Sequence, residues 1–330
     1  MPKKTDILTI GGSTLDIMFS LPEAKVIKTK DALGEHNFFA LEIGKKFVSQ
    51  QVEYTSGGGA ANAAVSLARL GFKSAVLSSI GKDASAEIIL KNLEREKIDA
   101  SLIQMHQDYT ALSFVVSGGK KNEHVIFTHR SATALLEVSK KALQKANPQW
   151  IYLSSLHGKK WLKNLKNIFA YAKANNVKVA WNPGGRQLME GYKKLKKYLA
   201  QTEVLILNRA EASDLVKSSG LKTDKLEKLF PVLAKWGSKI IVITCGEEGA
   251  YVCSAKSICF HQAISRQGVN TTGAGDAFGS SFIGGLMLYK NNIHKALRLA
   301  IIRSNYVVKQ VGAQKGLLTL NEIKRKGYRI

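Results

Sequence analysis

The sequence lacks the marks of several protein classes. No run of about 18 apolar residues, the length a helix needs to cross a bilayer, occurs in its 330 residues, so no membrane partner is expected. Cysteine is scarce: Cys245, Cys253 and Cys259 are odd in number and form no CxxC pair. That argues against a disulfide framework or a zinc site and fits a reducing cytoplasm, the expected location. The start, Met1 to Asp6, is basic but leads only into a short apolar run ending at Gly11-Gly12, which reads as a first strand rather than a signal peptide. No GxxxxGK[ST] phosphate loop is present. Gly11-Gly12 also lacks the GxGxxG spacing of a dinucleotide-dependent oxidoreductase. Internal repeats, low-complexity segments and flexible linkers are absent as well.

Acidic residues are outnumbered. Lys and Arg total 49 against 25 Asp and Glu, a net charge of +24. Such a charge favours anionic ligands and binds nucleic acid non-specifically at low salt. However, Lys heavily outnumbers Arg and is scattered along the chain, and the cluster around Lys193-Lys194 and Lys196-Lys197 lies on a helical stretch as a solvated face. No recognition helix, zinc-finger spacing or aromatic RNA-binding signature accompanies it. The excess reads as compositional background, and no specific nucleic-acid partner is expected; a non-catalytic nucleic-acid binder is the rival from another class.

What is present is a core and an alternation. With 45% hydrophobic residues the chain can bury a substantial interior. Short apolar runs at Ile7–Ile10, Ser74–Ile80, Trp150–Leu153, Val177–Trp181, Val204–Leu207 and Ile240–Thr244 alternate with helical stretches. That pattern predicts an α/β fold, a mostly parallel sheet with helices on both faces. Two strand-like insertions interrupt it, at about 17–54 and 108–128, and a small β lid is the expectation for them. The whole chain, 1–330, is read as a single domain.

The stretch Asn270-Thr271-Thr272-Gly273-Ala274-Gly275-Asp276 precedes an apolar, helix-like run from Ala277 to Tyr289. Glycines let the backbone bend sharply and approach a ligand, and a helix start adds unpaired N–H donors and a positive dipole end. Together they suit a phosphate. Asp276 beside it is either a helix cap or the acceptor of a proton from an attacking hydroxyl. Asp16, beyond the first strand, is a turn aspartate or a binder of hydroxyls. Ser56-Gly57-Gly58-Gly59-Ala60-Ala61-Asn62 is a glycine turn entering a helix that stops at Gly71; Asn62 there caps the helix or contacts sugar-like hydroxyls. Asn208 and Glu211, three apart after a strand, form a capping box or order water around magnesium. Thr244-Cys245-Gly246-Glu247-Glu248-Gly249 is a hairpin or a seat for a nucleotide.

Taken together these pieces resemble the ribokinase-like (PfkB-type) carbohydrate kinases over essentially the whole chain. The resemblance rests on Asp16, Gly57-Gly58-Gly59-x-x-Asn62, Gly81-Lys82-Asp83, Asn208-x-x-Glu211, Thr244-x-Gly246-x-x-Gly249, Thr272-Gly273-Ala274-Gly275-Asp276 and Gly312-Ala313-Gln314, in family order. It implies a ribokinase-like doubly wound sheet with a lid from the two insertions. It also implies that Asp276 is the base and that Gly273, Ala274 and Gly275 form a backbone anion hole. Asp16, Gly57, Gly58 and Asn62 become acceptor contacts, while Asn182, Asn208, Thr244, Gly246 and Gly249 become nucleotide contacts. Glu211 becomes the residue that organises magnesium through water. The implied activity is ATP-dependent phosphorylation of a primary hydroxyl of a sugar, with a nucleoside such as adenosine, or a pyrimidine or pyridine alcohol, as the alternative acceptor. An exposed lid sheet is the expected surface for a homodimer.

The sequence departs from the family at Asn270, where an Asp usually helps to hold an activating potassium ion. One charge is gone, which weakens the expectation of potassium. Ser131-Ala132-Thr133 replaces a frequent Gly-Ala-Asn, and Ser154-Ser155-Leu156 stands where ribokinases proper carry a sugar-binding Glu.

Overall fold

A computed structural model describes residues 5–31, 34–119, 123–255, 257–264 and 271–330. Asn270, on which the potassium expectation turns, lies outside them. The chain opens with β1 (Thr5–Ile10) and β2 (Thr14–Leu21), a hairpin of β3 (Lys25–Asp31) and β4 (Gly34–Ala40), and β5 (Val52–Gly57), which runs into α1 (Gly59–Ala68). Then come β6 (Ser74–Leu77), β7 (Ser79–Gly81), α2 (Ala84–Arg95), β8 (Gln104–His106), β9 (Ala111–Gly118), β10 (Glu123–His129) and α3 (Lys140–Ala146). Regular alternation follows: β11 (Pro148–Leu153), α4 (Trp161–Ala174), β12 (Lys178–Trp181), α5 (Gly185–Met189), α6 (Gly191–Leu199), β13 (Val204–Asn208), α7 (Arg209–Lys217), α8 (Leu226–Lys235) and β14 (Ile240–Thr244). The hairpin of β15 (Gly249–Ser254) and β16 (Ile258–Gln262) precedes α9 (Ala274–Leu288), α10 (Ile293–Val307) and α11 (Leu320–Arg325).

The main sheet has the order β16-β15-β14-β13-β12-β11-β1-β6. Its strands from β14 to β6 are parallel, and β15 and β16 add an antiparallel edge. Both faces are covered, so the strands read as near-continuous apolar runs, and the strand period of two divides them between faces. Leu8, Ile10, Ile151, Leu153, Leu205, Leu207, Ile241 and Ile243 face one helical layer. Ile7, Tyr152, Ala180, Val204, Ile206 and Val242 face the other, against Phe278 and Phe282 of α9 and Leu297 and Ile301 of α10.

A second sheet, β10-β9-β2-β5, stands apart. It is built from the two insertions, with β2 and β9 parallel and the outer pairs antiparallel. Here the structure moves some boundaries read from sequence. The first insertion starts at Thr14, so Asp16 lies within β2 opposite Thr55 and Ser113 rather than in a turn. The run Ser74–Ile80 splits, because Ser74–Leu77 pairs with β1 while Ser79–Gly81 pairs with β8. The helical stretch carrying Lys193-Lys194 is separated from α5 at Glu190, beside Gly191, whose φ of 78° departs from regular helix geometry.

Candidate active site

The glycine turns and strand ends converge on two cavities. The first, about 250 Å³, is lined by Gly12, Asp16, Gly58, Gly59 and Asn62, by Ser113 and Val115 of β9 and Ile126 of β10, by Thr128, Arg130, Ser154, Ser155 and His157, and by Thr272, Gly273 and Asp276. The second, about 450 Å³, is lined by Asn208, Thr244, Gly246, Glu247, Gly249, Ala263, Ile264, Ala274, Gly275, Phe278, Ile301 and Asn305 among others. The start of α9 belongs to both: Gly273 and Asp276 face the first cavity, Ala274 and Gly275 the second.

Local chemistry explains how that shared wall forms. Gly273 adopts φ 77°, and a Cβ there would sit 2.2 Å from the Cβ of Ala313, so only glycine permits the turn. No side chain caps α9. The Ala274 N–H closes a turn onto the Thr271 carbonyl at 3.2 Å, whereas helix geometry leaves the N–H groups of Gly275 and Asp276 without an intrahelical acceptor. A Cβ on Gly275 would meet nothing within 4 Å; it opens straight onto the second cavity.

Asp276 is half-buried and held from one side. Asn62 Nδ2 donates to its Oδ2 at 2.9 Å. Burial raises the Asp276 pKa and the Asn62 bond lowers it, with burial the larger effect. The orientation of the Asn62 amide is itself dictated. Gln314 Nε2 donates to Asn62 Oδ1 at 2.9 Å, and Asn92 Nδ2 donates to Gln314 Oε1 at 2.9 Å. Arg95 Nη2, which can only donate, reaches Asn92 Oδ1 at 2.6 Å. Each amide therefore receives at its oxygen and gives from its nitrogen, so the line from Arg95 to Asp276 delivers an N–H to the carboxylate. Gln314 was named only as part of a motif in sequence; its partner lies 252 residues away.

Asp16 is 5% exposed. Burial pushes its pKa up, hydrogen bonds from Thr14 and Ser113 pull it down, and the charge of Asp276 adds to the rise. Gly57 lies against it: a Cβ at 57 would fall 2.0 Å from Asp16 Oδ2. Asn208 and Glu211 form the capping box of α7, Asn208 Oδ1 accepting from Glu211 N and Glu211 Oε2 from Asn208 N, both at 2.9 Å. Asn182 donates to the Ile206 carbonyl at 2.9 Å, tying the ends of β12 and β13 together. Neither Asn182 nor Glu211 is among the residues lining the two cavities.

Sequence reading missed Asn305 on α10. It is 6% exposed, and among the described residues neither of its amide atoms has a partner. It borders the second cavity beside Ile301 and Phe278, where an unsatisfied donor–acceptor pair suits the polar edge of a flat heterocycle. It also missed Ser113, whose neighbours carry no motif, and Arg130 and His157, which adjoin Ser131-Ala132-Thr133 and Ser154-Ser155-Leu156, stretches read only as departures from the family pattern.

A parallel-rich sheet with a smaller sheet beside one of two cavities that meet at a helix start defines a ribokinase-like α/β protein. Solved structures agree on the fold. Arabidopsis thaliana ribokinase complexed with ribose and ATP superposes with a TM-score of 0.79 at 18% identity, covering 98% of each chain. Burkholderia thailandensis nucleoside kinase in complex with inosine gives 0.76 at 16% identity, covering 98% of this chain and 100% of its own. Among curated proteins, an ATP-dependent 6-phosphofructokinase of Thermoanaerobacterium thermosaccharolyticum is 24% identical over 98% of this chain and 94% of its own. A ribokinase of Haemophilus influenzae is 25% identical over 84% and 89%, and a nucleoside kinase of Methanothermobacter thermautotrophicus is 22% identical over 99% and 96%. The profile of the pfkB family carbohydrate kinases matches residues 33–320. The chain belongs to that family and is a kinase of the sugar or nucleoside class.

Proposed function

We propose that the protein transfers the terminal phosphoryl group of ATP to a primary hydroxyl of a sugar. The observation that carries this reading is the shared wall: the first turn of α9 faces both cavities, with the Asp276 carboxylate on one side and Gly275 open to the other. A sugar held in the first cavity accepts hydrogen bonds from the free N–H of Asn62 and donates to Asp16. Its hydroxyl is then delivered to Asp276. As the hydroxyl oxygen bonds to phosphorus, the bond to the leaving ADP oxygen breaks and the proton passes to Asp276. The transition state is loose and the proton leaves late, so a weak base suffices. The N–H groups of Gly275 and Asp276 and the end of the helix dipole stabilise charge on the phosphoryl oxygens.

The second cavity fits a nucleotide. Its glycine turn at Gly246 and Gly249, the Thr244 and Asn208 side chains and the unsatisfied amide of Asn305 offer polar contacts, while Ile301 and Phe278 offer apolar ones. Among the described residues no cluster of three His, Cys, Asp or Glu could cage a metal. One Glu211 oxygen is spent on the α7 cap, leaving the other to hold an ion through water. That matches magnesium, which keeps its waters and is bound mostly by substrate phosphates; bound there, it offsets charge on those phosphates. The small sheet closes over the acceptor as a lid that limits water entry, a role supported by the β9 and β10 side chains in the first cavity.

The relatives named as ribokinase and 6-phosphofructokinase act on sugars, the nucleoside kinase on nucleosides. The first cavity favours the sugar. Among the described residues no Phe, Tyr or Trp lines it, and an aromatic platform adds about 1–3 kcal/mol to the binding of a base. The test is ADP release from magnesium-ATP across sugars, sugar acids, sugar phosphates and nucleosides, in sodium and in potassium. With an amide at 270, equal rates in the two salts are expected. Asp276→Asn should lower turnover at least about 10²-fold, the scale of general-base catalysis, with ATP affinity little changed; near-normal turnover in that variant refutes the assignment.

A further inference from the structure

One cluster in the first cavity has no role in the scheme above. Arg130 follows β10 and lines the cavity; His157 follows β11 and lines it too. Arg130 Nη1 lies 2.5 Å from His157 Nε2 and 3.1 Å from Nδ1. Guanidinium only donates, so the imidazole accepts and is neutral. The backbone there is fixed from both sides. The Thr133 hydroxyl donates to the Arg130 carbonyl, and Gly184 packs so closely on Ser155 that a Cβ would fall 1.9 Å from its Oγ. That contact brings the start of α5, with the exposed Arg186 just outside the residues that line the cavity, beside the segment carrying His157. Burial, and after it the positive charges of Arg130 and Arg186, hold the His157 pKa down at about 4; burial, and after it Arg186, lowers that of Arg130.

Two guanidinium groups thus stand beside a neutral imidazole, and among the described residues neither forms an ion pair. The chain does pair its arginines elsewhere: Arg69 grips Glu96 through two bonds of 2.7 and 2.9 Å. The carboxylates sharing the cavity are otherwise engaged, Asp16 with Thr14 and Asp276 with Asn62. Uncompensated like charges cost free energy unless an anion joins them, and a planar guanidinium matches the oxygens of phosphate or carboxylate.

We propose that the acceptor sugar carries an anionic group, a phosphate or a carboxylate, which docks on Arg130 and Arg186 while its free hydroxyl reaches Asp276. This rests on the acceptor cavity assigned above and narrows it from sugars to charged sugars. His157, neutral, holds Arg130 through the ring nitrogen that accepts from it.

Binding is measured first, by calorimetry on the Asp276→Asn protein, which separates recognition from turnover. The ligands are matched pairs: fructose 6-phosphate with fructose, and gluconate with glucose. At least one charged member should bind about 10-fold or more tighter than its neutral partner, and the pair that shows the preference identifies phosphate or carboxylate. The preference should disappear in Arg130→Met/Arg186→Met, each change removing about 10- to 100-fold, the range of a charge-assisted hydrogen bond. Equal binding of charged and neutral members, no binding of either charged member, or a preference that survives the double change overturns the proposal. Turnover of the wild-type protein then judges the two readings apart. A charged sugar that binds with preference but releases no ADP sinks the kinase reaction and leaves the anion site standing. Good turnover of neutral sugars with no charged preference does the reverse.

Discussion

The orientation of Asn62 makes Gln314 a positioning residue for Asp276, the proposed base, and its replacement tests that directly. In Gln314→Glu the new carboxylate can still accept from Asn92 Nδ2, as Gln314 Oε1 does at 2.9 Å, but it has no N–H for Asn62 Oδ1, where Gln314 donates at 2.9 Å. Asn62 then gains by turning its nitrogen toward position 314 and its oxygen toward Asp276. In the wild type Asn62 donates to ionised Asp276 and lowers its pKa; in the variant only a protonated Asp276 can bond to Asn62. A hydrogen bond to a charged group is worth about 1.5–3 kcal/mol, so proton affinity at Asp276 should rise about 10- to 100-fold. The sign is fixed: a base that binds its proton more tightly needs a higher pH to become active. The assay is kcat/KM against pH with the best acceptor. Gln314→Glu should lose about 10- to 100-fold on the acid limb and recover much of it at alkaline pH. Gln314→Leu, which frees Asn62 without reversing it, should lose less. It should also destabilise the fold by about 1–3 kcal/mol through the unpaired Asn62 oxygen and Asn92 amide, read as a lower Tm. If both variants lose the same factor at every pH, Gln314 merely supports packing and the relay argument is wrong.

The raised Asp276 pKa also implies that function is held against stability. Below the ordinary carboxyl value of 3.8 the group is protonated folded or unfolded, so Asp276→Asn should differ little from wild type. As pH rises from there to the raised folded-state pKa, the unfolded chain loses its proton first. The variant should therefore gain Tm over wild type across that interval and hold the gain above it; a constant difference from pH 3 to 8 would contradict the burial argument. Gly275→Ala should act similarly by another route. Its Cβ meets no protein atom, and alanine in a helix is favoured by about 0.8–1 kcal/mol, so Tm should hold or rise while ATP-dependent turnover falls; unchanged turnover would remove Gly275 from the phosphate path.

How far the site was legible depended on how local its chemistry is. Gly57-Gly58-Gly59 and Gly273-Ala274-Gly275 announce sharp turns into helices, and both turns stand where expected, because the conformations they adopt are set by residues next to one another. Apolar runs alternating with helical stretches gave away the parallel sheet for the same reason. Where a contact depends on a distant partner, the sequence was silent. Ser78 separates two strands because β1 pairs only as far as Leu77, while β8 takes Ser79 onward; nothing in an apolar run from Ser74 to Ile80 marks that change of partner. Asn62 could be seen as a polar residue at a helix start, but which end of its amide faces Asp276 follows from Gln314, and that in turn from Asn92 and Arg95. Arg130, Arg186 and His157 carry no spacing signal at all: they lie after three different strands and meet only because the sheet sets those strand ends side by side. The residues legible in advance are thus the local ones, a turn, a helix start and the acid proposed as the base. Those proposed to choose an acceptor lie beyond strand ends, Arg130 and His157 in loops and Arg186 in α5, where their chemistry appears only when the fold assembles them, so the proposed choice between a neutral and a charged sugar rests on charge there rather than on the motifs.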